Sequence, residues 1–257
     1  MPLFSQLFKS LYSPKEMARF RFQKIGKTIL YILLLAILMT IPEMIQADRF
    51  VKEQFITLQD YFQKDVPNFS IENGTLKADS QNRVKKVEND YTFLFDPNGI
   101  ETSISPSETN GLYLLKDRFV MISNGQKQSY TYSSMSQSSI TKTEILDFFT
   151  YLKSIYPIAI LIIGISLCFI NSFTSFFGVT LLAFIGTVLS KQMNRRLSYK
   201  QIWTLTTYSI TIPTIFFMIM KYLRIAVLSP LLIFTLVTLV LLYITVREVP
   251  TTTKKIK

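Results

Sequence analysis

The chain has 257 residues, of which 49% are hydrophobic and 18% are charged. An ordinary soluble domain has about 25% charged residues, so this composition indicates a membrane protein. A single Cys and no His exclude a disulfide framework within one chain, a Cys/His metal site and imidazole-based catalysis. We therefore expect a protein that is not an enzyme and that uses no cofactor or metal.

Charge is unevenly distributed along the chain. The formal net charge is +11, but residues 47–153 hold 14 of the 17 acidic residues against 12 basic ones. The rest of the chain has 16 basic residues and three acids, and its cations lie at the ends of apolar runs. Cations in such positions anchor and orient membrane segments. The charge therefore predicts contact with a bilayer and not with nucleic acid.

Residues 1–27 are basic and amphipathic. A new helix is predicted to begin at Pro14, because Ser13 can serve as its N-cap, Pro14 as N1 and Glu16 as N3. Tyr12 and Met17 have the spacing of a hydrophobic staple around this start. One helical stripe holds the apolar residues Leu3, Phe4, Leu7, Phe8, Leu11 and Tyr12. Six cations accompany it: Lys9, Lys15, Arg19, Arg21, Lys24 and Lys27. This pattern predicts a cytoplasmic anchor on the anionic inner leaflet, with a docking site for a partner as the alternative.

Apolar runs of membrane length follow. Residues 28–46 predict an uncleaved signal anchor, with a cleaved signal peptide or a buried core helix as alternatives. Residues 155–190 form a 36-residue stretch without a charge, which as a helix would be about 54 Å long and too long for one ordinary crossing. The polar residues Asn171–Ser175 therefore predict a hairpin. The predicted bundle, residues 154–246, has spans at 155–171, 173–190, 202–220 and 225–246.

The positive-inside rule favours a different number of crossings. Sixteen basic residues belong to the chain apart from residues 47–153. Five crossings would place eight of them on each side of the membrane, whereas four crossings would place 14 on the cytoplasmic side and two on the other side. Helix length is the harder physical limit, so we expect about five transmembrane helices. The sequence does not decide on which side of the membrane the basic C-terminal tail, residues 247–257, lies.

Residues 47–153 predict a small extracytoplasmic α+β domain inserted after the first helix. Asp48–Val66 has helical apolar spacing, and Thr141 with Glu144 forms the capping box of a helix over Thr141–Leu152. Between them, two alternating runs flank Asn124-Gly125, a pair typical of a type I′ hairpin. That turn places Phe119 opposite Tyr130 and Met121 opposite Gln128.

The four later spans contain no Asp, Glu, Lys, Arg or His. Ion relays usually need an intramembrane ionisable group, and intramembrane hydrolases need a nucleophile with an acid or base partner. The spans are instead rich in small and hydroxylated residues, which favours tight helix packing; a substrate path lined by hydroxyls is the alternative. The candidate residues for packing or for such a path are Gly178, Gly186, Ser190, Thr204, Thr207, Thr211 and Pro213.

Six stretches carry a resemblance to a known family: Ser10–Lys15 (SLYSPK), Arg19–Phe22 (RFRF), Ile25–Tyr31 (IGKTILY), Leu114–Asp117 (LLKD), Arg196–Trp203 (RLSYKQIW) and Tyr208–Pro213 (YSITIP). They resemble domain-of-unknown-function family 1189, uncharacterised membrane proteins of Gram-positive bacteria, some of which are labelled maltodextrin-utilisation proteins. The last two stretches are also similar to Yip-type five-helix membrane proteins, which favours five spans. The resemblance assigns no activity. Its motif residues of unknown role are Ser13, Pro14, Arg21, Gly26, Lys27, Tyr199 and Tyr208.

The sequence thus predicts a non-enzymatic, multi-pass protein of the bacterial plasma membrane. We expect it to assist or regulate another membrane system, with carbohydrate uptake as the system that the family label suggests. A transporter or channel subunit that uses the hydroxyl-rich helix 202–220 is one alternative. A membrane-organisation or trafficking factor is the other. The expected partners are the bilayer and another membrane protein, and the sequence leaves the oligomeric state open.

Overall fold

The computed structural model describes residues 2–88, 90–100, 108–134 and 139–251. It divides into two compact units. The helical unit comprises Met1–Arg49 and Ile158–Lys257, and the mixed unit comprises Phe50–Pro157. Residues 252–257 of the predicted basic tail lie outside the described residues.

Helices dominate the described chain. Their bounds are α1 Leu3–Tyr12, α2 Pro14–Arg19, α3 Ile25–Asp60, α4 Lys142–Gln192, α5 Tyr199–Ser209, α6 Thr211–Tyr222 and α7 Pro230–Arg247. A 3₁₀ turn, Phe20–Phe22, follows α2, and a π-helical turn, Tyr61–Asp65, ends α3. Four helical segments are long and apolar enough to cross a membrane: Ile25–Asp65, Lys142–Gln192, Tyr199–Tyr222 and Pro230–Arg247. The structure is therefore compatible with a membrane protein.

The predicted hairpin at Asn171–Ser175 is wrong, because α4 runs through these residues without a break. Their polar groups are satisfied while the helix continues. The Asn171 side chain donates to Thr40 Oγ1 at 3.1 Å and to Glu43 Oε2 at 2.6 Å, and the Ser172 hydroxyl donates to the Cys168 carbonyl at 2.7 Å. Bilayer thickness limits the part of a helix that lies in lipid, but it does not limit the whole helix. The segments predicted at 155–171 and 173–190 are thus one helix.

Helix ends follow the local chemistry of the sequence. The Ser13 hydroxyl accepts a hydrogen bond from the Glu16 backbone N–H at 3.4 Å, which confirms the predicted N-cap of α2. Of the two residues placed as a hydrophobic staple, Met17 is buried and Tyr12 is 73% exposed. The last helix begins at Pro230 and not at residue 225, since Pro is favoured at the first helical position.

The mixed unit contains two sheets. One has the strand order β3-β4-β5-β6-β7, in which the β4 and β5 pair is parallel; the other has the order β2-β1-β8. The strands are β1 Phe69–Glu72, β2 Thr75–Ala78, β3 Val84–Glu88, β4 Tyr91–Phe95, β5 Asn110–Leu114, β6 Arg118–Ser123, β7 Gln126–Thr131 and β8 Ile140–Thr141. A core rich in aromatic side chains, including Phe62, Phe93 and Phe95, packs within the unit.

The β6–β7 hairpin has the predicted register. Phe119 pairs with Tyr130 and Met121 with Gln128. The turn residues Asn124 and Gly125 have φ values of 50° and 77°, as a type I′ turn requires.

The start of α4 is also as predicted. The Glu144 carboxylate accepts from the Thr141 N–H at 2.8 Å, and the Thr141 hydroxyl accepts from the Glu144 N–H at 3.3 Å. These reciprocal bonds form a capping box.

Candidate functional site

A buried cluster of hydroxyl, amide and aromatic groups lies inside the helical unit. We call Gln6, Tyr31, Tyr208 and Thr211 the tyrosine cluster; all four are 0% exposed. The Tyr208 hydroxyl donates to Gln6 Oε1 at 2.9 Å, and the Tyr31 and Thr211 hydroxyl oxygens are 2.7 Å apart. The Tyr208 ring also lies 4.5 Å from that of Tyr31 and 4.6 Å from that of Phe20, measured between centroids. The cluster therefore joins α1, α3, α5 and α6.

The tyrosine cluster changes the interpretation of α1. Gln6, Leu7 and Ser10 are buried, so one face of this helix packs into the bundle. Phe4, Phe8 and Tyr12 are more than 60% exposed on the rest of its surface. The predicted apolar stripe thus divides between the protein interior and the exterior. The exposed aromatic residues fit the predicted contact with the membrane interface.

A second cluster contains an ion pair, and we call Thr40, Glu43, Gln46, Asn171 and Lys221 the ion-pair cluster. The Lys221 ammonium group donates to Glu43 Oε1, and the Gln46 side chain donates to the Lys221 carbonyl. Asn171 binds both Thr40 and Glu43, as described above. Side-chain exposure is 19% for Glu43 and 42% for Lys221, so the pair is partly shielded from its surroundings. These bonds connect α3, α4 and α6.

Basic residues lie along the N-terminal segment. The Glu16 carboxylate binds Lys9 at 2.8 Å and Arg19 at 2.5 Å. The hydrogen bond from Lys9 lowers the pKa of Glu16, with a smaller contribution from the charge of Arg19. The Arg21 guanidinium donates to the Ala18 carbonyl at 2.6 Å and lies 4.2 Å from the centroid of the Phe22 ring. The Lys9–Glu16 pair joins α1 to α2, and the segment, with six cations and one acid in residues 1–27, keeps a positive charge.

Three of the hydroxyl groups predicted for packing or for a path, those of Thr204, Thr207 and Ser190, donate to backbone carbonyls of their own helices. Thr204 donates to the Lys200 carbonyl at 2.9 Å and Thr207 to the Trp203 carbonyl at 3.0 Å. Ser190 donates to the Thr187 carbonyl at 3.0 Å. These side chains are at most 1% exposed, and Pro213 of α6 is buried as well. This arrangement favours packing over a hydrated path.

The two candidate glycines differ in environment. A Cβ atom at Gly186 would lie 2.7 Å from Leu242 Cδ2 and 2.8 Å from Ile202 Cγ2, so the absence of a side chain lets α4 approach α5 and α7. A Cβ atom at Gly178 would have nothing within 4 Å. Of this pair, the structure gives Gly186 the close-packing role.

The motif residues of unknown role occupy different places. Tyr208 belongs to the tyrosine cluster, whereas the Tyr199 hydroxyl donates to the Thr180 carbonyl at 3.3 Å and its side chain is partly exposed. Ser13 and Pro14 begin α2. Arg21 lies beside Phe22, and Gly26 and Lys27 lie at the start of α3. The structure thus does not gather these residues into one site.

Sequence reasoning missed most of both clusters. Glu43 is the one acidic residue of residues 28–46, and Asn171 is the one Asn or Gln of residues 155–190. A polar side chain that is unusual in an apolar run is a signal that could have identified both. The cluster partners Gln6 and Lys221 carry no such signal, because they lie in segments that are polar or basic.

Within the described residues, no group of three or more Cys, Asp and Glu side chains could hold a metal ion. Both clusters consist of donors and acceptors that are bonded to one another, apart from the Gln6 side-chain nitrogen, which is buried without a described partner. Such an arrangement fixes helices relative to one another.

A family model described as "Protein of unknown function (DUF1189)" matches residues 4–246. The chain belongs to this family. The match extends over both clusters and over all seven helices except the first residue of α1 and the last residue of α7. Neither the comparison with curated proteins nor the comparison with solved structures found a match.

Proposed function

We propose that this DUF1189 protein crosses the bacterial plasma membrane four times and acts, without enzymatic activity, as an accessory or regulatory subunit of another membrane system. The observation that carries the proposal is the contrast inside the helical unit. The polar groups of its interior bind one another, whereas only 6% of the most apolar window of α4 is buried. An interior of that kind supports a scaffold, and an uncovered helix offers a lateral surface to a partner.

The contacts between helix ends support the proposed number of crossings. The Arg195 guanidinium donates to the Arg247 carbonyl at 3.0 Å, and the Thr245 hydroxyl lies 3.9 Å from Met17 Sδ. The N-terminal cations, the α4–α5 turn and the end of α7 therefore belong to one end of the unit. The Glu43 and Lys221 pair belongs to the other end.

Four crossings agree with this arrangement and with the positive-inside rule. The end that holds Arg195 and Arg247 would be cytoplasmic, so 14 of the basic residues outside 47–153 would be inside and two outside. Both termini would be cytoplasmic, and residues 47–153 would be extracytoplasmic. Four crossings require α4 to cross once, and α4 is a single unbroken helix.

Cysteine accessibility tests this topology. In a Cys168→Ser background, single cysteines are introduced at Ser103, Ser198 and Thr252 and exposed to a membrane-impermeant thiol reagent in intact cells. We expect labelling at position 103 and protection at positions 198 and 252 until the membrane is opened. Labelling of position 252 in intact cells would overturn the four-crossing arrangement.

Photo-crosslinking tests the accessory role. A photoreactive residue at Phe169, which is 74% exposed on α4, is compared with one at Leu231, which is 80% exposed on α7. We expect Phe169 to yield a discrete crosslink to another membrane protein and Leu231 to yield lipid adducts only. Equal lipid labelling at both positions, together with unchanged maltodextrin uptake in a deletion strain, would contradict the proposal in its carbohydrate-uptake form.

The transporter alternative depends on the hydroxyl-rich helix, in which the buried Thr204 and Thr207 hydroxyls donate to backbone carbonyls of their own helix. Saturable flux of sugars or ions through liposomes that contain the purified protein would favour it over the accessory role.

The trafficking alternative predicts mislocalised membrane proteins in the deletion strain. Normal localisation would leave the accessory role as the better account.

A further inference from the structure

The charge-free part of α4 is longer than a bilayer can cover. Residues 155–190 carry no charged side chain, and α4 is unbroken through them, so they extend about 54 Å along the helix axis. A hydrocarbon core of about 30 Å covers about 39 Å of a helix tilted by about 40°, which is the upper end of the observed tilts. At least about 15 Å of this apolar helix therefore lies outside the hydrocarbon core.

Contacts between α3 and α4 show where part of this excess lies. A Cβ atom at Gly164 would lie 2.5 Å from Met44 Sδ, so Gly164 of α4 is level with Met44 of α3. Asn171, further along α4, binds Thr40, which lies further back along α3. The two helices are therefore antiparallel, and the α4 residues that precede Gly164 are level with the α3 residues that follow Met44.

At this level α3 is charged while α4 is apolar. Asp48 and Arg49 lie about one turn beyond Met44, where the apolar run of α3 ends. Charged side chains mark the part of a helix that is outside the hydrocarbon core. We call residues 158–162, the α4 residues at this level, the α4 overhang. Its large exposed apolar side chains are Ile158, 63% exposed, Leu161, 59% exposed, and Ile162, 58% exposed.

The α4 overhang has no suitable cover in lipid headgroups or water. Trp and Tyr, and not Ile or Leu, are the side chains that the membrane–water interface favours. Ile and Leu are stabilised by burial. Ile158 and Ile162 are four positions apart, and Ile165, which is 63% exposed, continues the same face three positions later. This is the spacing of a helix–helix seam, so the overhang presents a face that fits another helix.

A second copy of this chain fits this face because of symmetry. Copies inserted in the same orientation pair about a two-fold axis normal to the membrane. Such an axis makes the two α4 helices parallel and brings each overhang to the height of the other. Because residues 155–190 carry no charge, two identical faces meet without like-charge repulsion. A different protein would need its own exposed apolar helix at the same height above the bilayer.

We propose that the α4 overhang joins two copies of this chain in a parallel dimer, with Ile158 and Ile162 at the contact and Leu161 beside it. The proposal rests on the proposed membrane crossing of α4. It goes beyond the accessory role, whose partner contact is tested separately at Phe169.

Disulfide crosslinking in native membranes tests the contact. Single cysteines replace Ile158, Ile162, Ile163 or Leu231 in the Cys168→Ser background, in cells that express the chain with two different tags. We expect oxidation to give a dimer that carries both tags from positions 158 and 162. Ile163 lies about 100° further round α4 than Ile162, and Leu231 lies on α7, so these positions should give no dimer above random collision. Equal yields at 162 and 163, or no doubly tagged species, would overturn the dimer.

Matched charge variants separate this contact from a general effect on the helix. Ile158→Glu/Ile162→Glu places like charges against each other, and we expect it to weaken the dimer about a hundredfold or more in native mass spectrometry of the full-length protein. Ala159→Glu/Ile163→Glu adds the same charges with the same spacing and should leave the dimer intact. All four side chains are exposed in the single chain, so both variants should unfold at the wild-type temperature. A monomeric wild type, or equal dissociation of both variants, would refute the contact.

Thiol labelling tests the height of the overhang. In opened membranes, where a membrane-impermeant reagent reaches both sides, a cysteine at Ile163 should react. A cysteine at Phe173, which is 68% exposed on the same helix, should be protected by lipid. Protection of position 163 would place the overhang in the hydrocarbon core and would overturn the proposal.

The dimer and the proposed function fail separately. A wild-type monomer with a discrete crosslink from Phe169 to another membrane protein would refute the dimer alone. A doubly tagged dimer without any partner at Phe169 would refute the accessory role alone. The labelling of position 163 in opened membranes does not depend on which side the N-terminus occupies, so it is independent of the four-crossing test.

Discussion

Two apolar segments of the helical unit differ sharply in burial. The most apolar window of α4 has a mean hydropathy of 2.1 and is 6% buried, whereas that of Tyr199–Tyr222, which contains α5 and α6, has a mean hydropathy of 1.4 and is 72% buried. The less hydrophobic segment therefore forms the centre. In a bilayer, lipid already surrounds apolar side chains, so helices associate through close packing and hydrogen bonds. Hydroxyls and small residues thus indicate burial here better than hydropathy does.

The strongest test of this comparison concerns the one glycine through which α4 approaches the central helices. Gly186→Leu forces a side chain against Leu242 and Ile202, and we expect it to lower the free energy of unfolding by about 2–3 kcal/mol. Gly178→Leu should change it little, because that position faces open space. Thermal unfolding in mild detergent measures both. Equal destabilisation by the two variants would mean that α4 does not pack as described.

Removal of the polar contact between α4 and α3 should have the next largest effect on the free energy of unfolding. Asn171→Leu removes the hydrogen bonds to Thr40 and Glu43. We expect a loss of about 1–2 kcal/mol in the free energy of unfolding.

Ser172→Ala is the matched control for Asn171→Leu. The Ser172 hydroxyl binds its own helix at the Cys168 carbonyl, so its removal should have almost no effect on unfolding. If Asn171→Leu unfolded at the wild-type temperature, residues 171–175 would have no role in joining α4 to α3, and the predicted hairpin would deserve a new test.

A smaller effect is expected in the tyrosine cluster. Tyr208→Phe leaves the ring in place but removes the donor to Gln6 Oε1, which is then buried without a partner. We expect a loss of about 1 kcal/mol.

Tyr199→Phe tests whether the position of the tyrosine matters. Its hydroxyl bond to Thr180 is longer, at 3.3 Å, and the side chain is partly exposed. The variant should therefore melt like the wild type in the same detergent. A greater loss from Tyr199→Phe than from Tyr208→Phe would place the important motif tyrosine outside the cluster.

Local features of this fold were predictable from the sequence. The caps at Ser13 and Thr141 and the turn at Asn124-Gly125 depend on residues within a few positions of one another, and the structure has all three. The apolar runs also lie in helices. In each case the physical cause is contained in a short segment, so a short segment is enough to predict it.

Long-range pairings were not predictable in the same way. Gln6 and Tyr208 are 202 positions apart, and Glu43 and Asn171 are 128 apart. In the sequence alone, Asn171 is a polar residue in an apolar run with no visible hydrogen-bond partner. Such a residue is typical of a turn, so the sequence predicts one. The hairpin prediction failed because Thr40 and Glu43, on a distant helix, satisfy that amide.

The smallest expected difference in the free energy of unfolding is between two buried threonines. One hydroxyl binds only its own helix, and the other also binds a neighbouring helix. Thr211 donates to the Tyr208 carbonyl and lies 2.7 Å from the Tyr31 hydroxyl oxygen, so Thr211→Val should cost about 1 kcal/mol. Thr207 is equally buried, but its described bond is to Trp203 of the same helix. We expect Thr207→Val to change the free energy of unfolding by less than about 0.5 kcal/mol, since that carbonyl keeps its helical N–H donor. A loss as large as that of Thr211→Val would show that Thr207 has a further polar contact in the bilayer, and a hydroxyl-lined path would then regain support against simple packing.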